Sequence, residues 1–418
     1  MANTLKDLSD GDINRELLRE FHNSLTFLKT INNQYDNRFA RPGAKNDGTI
    51  LIRNPNEYIV TTGKTLVTQD ADEQTQTMTV ATQKHVGMPS FSSLEQTMQV
   101  DDFRKRFARP AMLRLAAEVE SDILQNVYKD VFNITGLVDT TPDNLLSVRN
   151  AGARLTQELA PHTDRCLLLN ATAMATTANS LNTYFHKSNE LERSFMRGSV
   201  GTAAGFDWLE SEMVPTHTNG TRTDTTPVVN TSTGITSGTA TITTTGGSAL
   251  TMTKGDVFTV ADVYSVNRET KTRQPHLQQF VVTTAVADAS GTEVIAVSPT
   301  PVTSGARQNI ELVSAGASKA VVNLTGSSTG ASIHGGSGAA SLVWDQNLAY
   351  HKDAFTFATT DLHIEPGQRM TREVIEGISM RVWHGFDFTN DEFATRIDVL
   401  YGFLTQRPEW ATRVRSDS

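Results

Sequence analysis

The 418-residue sequence contains one cysteine, Cys166, which excludes an intrachain disulfide and a thiolate metal cluster and points to a reducing compartment. Aromatic residues are scarce at 7% and the hydrophobic fraction is 38%, leaner than an ordinary globular domain. Much of the surface is therefore expected to be polar, or to be buried only against neighbouring molecules. No run approaches the roughly 20 apolar residues of a bilayer-spanning helix. The opening MANTLKDLSDGDINRELL carries no apolar signal region, so neither a secreted nor a membrane-anchored protein is expected. Positive charge is also in deficit, with 37 Lys and Arg against 46 Asp and Glu, a net charge of -9. That balance removes the field behind most non-specific nucleic-acid affinity. An acidic container wall, along which a packed polyanion slides, shares this property with an acidic cytoplasmic enzyme.

Patterns that would carry chemistry are missing too. Gly198, Gly201 and Gly205 are followed by Phe206-Asp207-Trp208 and not by the Lys-Ser/Thr of a phosphate loop, so they read as turn glycines. The ten histidines are scattered without an HExxH or a helical pair, and His363 with Glu365 reads as a surface hydrogen-bonded pair on one strand face. No GxSxG elbow occurs, Cys166 sits in the apolar run CLLL as a buried thiol, and no two carboxylates stand out as an acid/base pair. Catalytic, cofactor-binding and metal residues are all expected to be absent.

What is present is an ordered series of segments, in a chain long enough for two or three domains. Ser9 or Asp10 can cap an N-terminal helix whose apolar positions Ile13, Leu17, Leu18, Phe21, Leu25 and Leu28 make one stripe. That stripe fits its own domain as well as a neighbour or an assembly factor. Period-two stretches follow at TILIR (49–53), EYIVTTG (57–63) and TMTVATQKHV (77–86), predicting extended chain too poor in apolar residues to fold alone. Residues 100–132 predict a long helix, with Leu113, Ala116, Val119, Ile123, Val127 and Val131 along one face and Pro110 as a kink or restart. Helices are expected near 143–158 and 171–187, around a buried strand at 165–170.

At Thr216 the composition turns to Thr, Gly, Ser and Asn, and the short runs at 256–266, 277–286, 293–299, 309–315 and 320–326 predict a small barrel or sandwich between helical segments. The runs at 351–362, 377–388 and 394–408 are expected to complete a sheet begun before it. The basic residues Arg104, Lys105, Arg106, Arg109 and Arg114 form one cluster. It reads either as a solvated helix face or as a partner for Asp70, Asp72 and Glu73 of an adjacent subunit.

GTILIRNPNEYIVTTG, QKHVGMPSFSSLEQTMQVDDFRKRFARPAMLRLAAEVESDIL, GFDWLESEMVPTHTNGT, KGDVFTVADVYSVNRETKTRQPHLQQFVVTTAV and the closing DAFTFATTDL, RVWHGFDF and RIDVLYGF resemble, in order, the P-twenty-two-type tailed-phage coat proteins. The resemblance implies an α+β chain of the Johnson fold (Hong Kong ninety-seven type). Its parts would be an N-arm at 1–35, an extended loop at 36–86, a peripheral domain with the spine helix at 87–132, and an axial domain at 133–215. An inserted β-barrel would follow at 216–342, and 343–418 would complete the axial and peripheral domains. It also implies a major capsid protein of the virion, assembled in the host cytoplasm into hexamers and pentamers. The expected partners are copies of itself, a scaffolding protein, the portal protein and double-stranded DNA held without sequence readout.

Lys64 is the one candidate for the Lys–Asn isopeptide link of some members of the wider fold, although the coat branch resembled is not the crosslinking kind. Asp7, Asp10, Asp12 and Glu16 are candidates for docking a basic scaffold segment. The rival readings are a carbohydrate-binding or adhesive surface protein, from the Thr/Gly-rich β-region, and an enzyme, which would need the missing constellations.

Overall fold

A computed structural model describes residues 18, 21, 25–35, 48–66, 68, 73–92, 109–136, 141–181, 201–220, 228–229, 234–245, 252–286, 292–313, 319–323, 343–364, 369–375, 378–387 and 392–416. The chain divides into two compact units, one of Met1–Asn54, Thr75–Ile123 and Phe355–Leu404, the other of Pro55–Gln74, Leu124–Ala354 and Thr405–Ser418.

The first unit is organised on the strand Glu392–Thr405. Its sheet runs Asn32–Tyr35, Phe355–Thr359, Glu392–Thr405, Ile378–Asp387, Arg369–Ile375, and Thr82–Ser92 also pairs with Glu392–Thr405. Glu392–Thr405 and Ile378–Asp387 pair antiparallel, with Val382 opposite Ile397. The hairpin Thr49–Arg53/Thr75–Thr79 alternates as period-two residues must, with Ile50, Ile52, Met78 and Val80 packed against Ala358, Leu400 and Leu404. It comes so close to the long strand that a Cβ at Gly402 would overlap the Thr79 carbonyl oxygen, and only glycine fits there.

The N-terminal segment corrects the expected continuous helix. Leu18 and Phe21 are helical and buried, but Leu25, Phe27 and Leu28 are buried in irregular turns that lead into the strand Asn32–Tyr35. That strand pairs parallel with Phe355–Thr359, and Phe27 meets Phe355 at 5.6 Å. The carboxylate of Glu120, itself buried, accepts the Thr26 N–H at 2.8 Å and the Phe27 N–H at 3.0 Å. Of the two fits open to the apolar stripe, the described residues take the one within their own unit. Ile13 and Leu17 lie outside the described residues.

Helix α1 spans Arg109–Val127 and continues as a 3-10 turn at Tyr128–Asp130, with Pro110 in its first turn. Its inward residues in the first unit are Met112, Leu115, Ala116, Val119 and Ile123, while Leu113 is exposed. Leu113, expected on this face, falls beside it, because 112, 115/116, 119 and 123 keep the helical period.

In the second unit a six-stranded sheet runs Ile134–Thr135, Ala411–Val414, Leu348–His351, Arg165–Leu169, Phe206–Glu210, Thr202–Ala203. Arg165–Leu169 is buried along its whole length, as an interior strand between two neighbours should be. Helices α2 (Leu145–Gln157) and α3 (Ala171–Leu181) place Val148, Ala151, Leu155, Ala173 and Met174 in a core with Leu167, Leu169, Phe206 and Trp208. Asn144 caps α2 by accepting the Ser147 N–H at 2.9 Å.

The strands between Val228 and Asn323 form a second sheet in the order Arg273–Val282, Thr292–Ser298, Thr241–Thr245, Val228–Val229, Lys319–Asn323, Val257–Val266. Val257–Val266 pairs again with Arg273–Val282, closing six strands into a ring, and Ile310–Leu312 is added at Val257–Val266. Ile242, Phe258, Val260, Phe280, Val282 and Ile295 fill this ring. Thr216–Thr218 and Val343–Asp345, which bracket the ring in sequence, pair antiparallel with each other.

Candidate functional site

The residues from Pro55 to Leu66, which include the period-two stretch at 57–63, form neither helix nor strand. They join no ladder among the described residues. Tyr58 is 66% exposed, Ile59 42%, Val60 94% and Leu66 85%, so four large apolar side chains are exposed on one short stretch. Exposed apolar groups clustered on an extended segment are the usual mark of a surface meant to be covered by a partner. At its base the segment senses its own unit. Burial pulls the Lys271 ammonium down, and the Glu57 carboxylate opposes this.

The charged residues singled out from the sequence are spread over the chain. Lys64 and Glu73 are exposed in the second unit, and Arg109 is exposed in the first. Asp70, Asp72, Arg104, Lys105 and Arg106 lie outside the described residues, as do Asp7, Asp10, Asp12 and Glu16. His363 is exposed, while Glu365 is outside the described residues. Cys166 is buried in the strand Arg165–Leu169. Among the described residues no group of three or more His, Cys, Asp or Glu could hold a metal ion, and no helix is long and apolar enough to cross a membrane.

Sequence reasoning missed a buried polar junction in the second unit, where the closed ring meets the six-stranded sheet. His217, on the bracketing strand, places Nε2 2.8 Å from Asp256 Oδ1 and Nδ1 3.1 Å from the Tyr128 hydroxyl. Asp256 only accepts, so the neutral imidazole carries its proton on Nε2 and donates it to Asp256, and Tyr128 donates to Nδ1. The other Asp256 oxygen accepts the Gly220 and Thr253 N–H groups, at 3.1 and 2.9 Å. Arg413 donates to the carbonyls of Gly255 and Val131, both at 2.8 Å, and its guanidinium lies over the Tyr128 ring at 5.3 Å. Burial pushes Arg413 down to about 10. Beside it the Gln279 amide accepts the Ile134 N–H at 2.8 Å and donates to the Ile134 carbonyl at 3.1 Å, acting as a strand neighbour for the sheet edge.

A Tyr–His–Asp chain resembles a proton relay, but His217 and Asp256 are only 3% and 0% exposed, and a relay that no substrate reaches performs no turnover. Its partners are 89 and 39 residues apart in sequence, so no local spacing announces it. The one available signal was that THTNG and KGDVF both fall in stretches carrying the family resemblance.

No curated protein matches the chain. Among solved structures it is similar to one from Mycobacterium phage Che8, with 12% identity over 93% of this chain and 90% of that one and a TM-score of 0.43. It is similar also to the capsid of cyanophage P-SCSP1u, with 9% identity, 94% and 88% coverage and a TM-score of 0.44. A third is the mature capsid of bacteriophage PhiM1, with 10% identity, 92% and 85% coverage and a TM-score of 0.44. The assignment is carried by the family model described as "P22 coat protein - gene protein 5", which matches residues 13–413. With nearly the whole length matched, the chain belongs to the P22 coat protein family of tailed-phage major capsid proteins.

Proposed function

We propose that the chain builds an icosahedral phage head as hexamers and pentamers around double-stranded DNA, with the segment Pro55–Leu66 of each subunit lying across a neighbour. The family match over residues 13–413 carries this reading, and the exposed Tyr58, Val60 and Leu66 are the contact surface that supports it. Each contact is individually small, and repetition in a closed symmetric shell makes the assembly stable while leaving single-subunit exchange open during growth. Residues 216–342 are proposed to be an inserted β-barrel domain, a reading supported by the ring of strands and by the mutual pairing of its two bracketing strands.

The work is structural and not catalytic. The partners are other copies, a scaffolding protein, the portal protein and DNA contacted without sequence readout, with assembly in the host cytoplasm. Net charge -9 suits a wall that does not grip its contents. Asp7, Asp10, Asp12 and Glu16 are the proposed scaffold-docking residues, and normal scaffold-dependent assembly after reversing two of these charges would remove that part.

The test of the main reading is Tyr58→Ser combined with Val60→Asp. Both side chains are exposed in the subunit, so circular dichroism and thermal midpoint should match the parent. Sedimentation and negative-stain microscopy should show subunits or small oligomers where the parent, with scaffold, forms shells. Normal shells from the double variant would overturn the assigned contact. A parent that stays a small oligomer with scaffold present would overturn the shell reading.

A further inference from the structure

The ring of strands meets the six-stranded sheet across an apolar cluster of Phe132, Ile134, Val257, Val281 and Trp344 and a small number of buried polar groups beside it. Tyr128 comes from the 3-10 turn after α1, His217 from one bracketing strand, and Asp256 from the turn entering Val257–Val266. Two cations come from the C-terminal residues, Arg413 against Tyr128 and Arg415 over Trp344, whose indole stands edge-on to His217 at 6.3 Å. At the margin Lys254 pairs with Asp130 at 3.9 Å, and the Lys129 side chain passes close to Gly255. The groups facing His217 and its partners are therefore the anions Asp256 and Asp130, the cations Arg413, Arg415, Lys254 and Lys129, and the Tyr128 hydroxyl. Two of the cations are fully buried.

We propose that Tyr128, His217 and Asp256 form a proton-sensitive clasp that holds residues 216–342 onto the six-stranded sheet while His217 is neutral and releases them when it is protonated. The geometry makes the neutral state specific. Both ring nitrogens are satisfied in one tautomer only, with Tyr128 donating and Asp256 accepting. A proton arriving at Nδ1 turns that acceptor into a donor, leaves the Tyr128 O–H without its acceptor, and adds a buried positive charge beside Arg413 and Arg415. Burial lowers the imidazole pKa, the hydrogen bond to Asp256 opposes this, and Arg413 reinforces it, with a net lowering.

The sign follows from linkage. A released His217 takes up a proton near its ordinary value of about 6.5 and the clasped one resists it, so the clasp is fully present above that pH and is lost as pH falls below it. The proposal rests on residues 216–342 being an inserted domain. It does not depend on shell assembly.

The test is hydrogen exchange read by mass spectrometry on the full-length subunit between pH 7.5 and 5.5, with rates corrected for intrinsic exchange. Peptides covering 252–286 should lose protection on acidification, by up to about tenfold for one site that protonates near 6.5 when released, while Arg165–Leu169 keeps its own. His217→Gln, an amide that donates and accepts without titrating, should flatten the dependence. Tyr128→Phe removes the donor that holds Nδ1 neutral, so the clasped and released imidazoles titrate more alike and the pH dependence should shrink. Unchanged protection in the parent would overturn the clasp whether or not the variants fold, as would a parent-like pH response in a folded His217→Gln. Equal loss over 252–286 and 165–169 would instead show that the unit opens as one body, overturning the inserted-domain reading on which the proposal rests.

Discussion

Glu120 offers the sharpest test of how the N-terminal segment is held. Its side chain is 2% exposed, and each carboxylate oxygen takes one backbone N–H, Oε2 from Thr26 and Oε1 from Phe27. Hydrogen bonds to a charged acceptor are worth about 1.5–3 kcal/mol each. Two of them stand against a burial cost for the carboxylate of several kcal/mol, part of which any native structure has already offset. Replacing Glu120 by Ala removes both acceptors and leaves two donors orphaned, so a loss of about 3 kcal/mol is expected. Glu120→Gln is isosteric but keeps a single acceptor oxygen and turns an NH2 group towards the other N–H. A loss of about 2 kcal/mol is expected there, because an unpaired buried donor costs about 1–3 kcal/mol. The measurement is urea denaturation of each variant, with hydrogen exchange over residues 25–31 as the local readout. If Glu120→Gln matched the parent within 0.5 kcal/mol, roughly the noise of a surface substitution, side-chain volume and not charge-assisted bonding would be holding the segment, and the reasoning would fail.

Two further outcomes follow from close packing. Gly402→Ala places a methyl group against the Thr79 carbonyl and should cost about 1–3 kcal/mol as an overpacked site, measured as a lower thermal midpoint with the hairpin 49–53/75–79 losing exchange protection. Gln279→Glu replaces the amide that donates to the Ile134 carbonyl with a group that donates only when protonated. Its carboxyl should sit above the ordinary value of about 4.3, so stability should be highest below that value and fall as pH rises through the raised one. A thermal midpoint no lower at pH 8 than at pH 5, relative to the parent, would contradict this.

How much of the molecule was legible in the sequence depended on whether the ordering interaction was local. Strand Thr49–Arg53 and helices α2 and α3 were found because period and caps lie within the elements themselves. The strands from Val257 to Asn323 showed as β-branched runs separated by turn residues. Asn32–Tyr35, by contrast, reads NNQY and carries no strand signal. Its structure comes from pairing with Phe355–Thr359, more than 300 residues away. Residues 57–63 have a period-two pattern and join no ladder among the described residues, because such a pattern needs a neighbouring strand before it becomes a sheet.

The same distinction separates the exposed segment from the buried junction. An assembly surface can be suspected from composition, because apolar residues in a stretch too poor to make a core have to be covered by something outside it. The junction could not be, because Tyr128, His217, Asp256, Gln279 and Arg413 are unremarkable one at a time and acquire meaning only when the fold converges them. Buried polar groups of this kind specify an arrangement more than they stabilise it, since each bond must first offset the loss of water. On the proposed reading Tyr58 and Val60 provide attraction between copies and the junction sets how the proposed inserted domain, residues 216–342, is held, so the two should fail differently. Loss of the first should leave sound subunits that do not associate, whereas loss of the second should leave subunits that associate into wrongly curved or aggregated products.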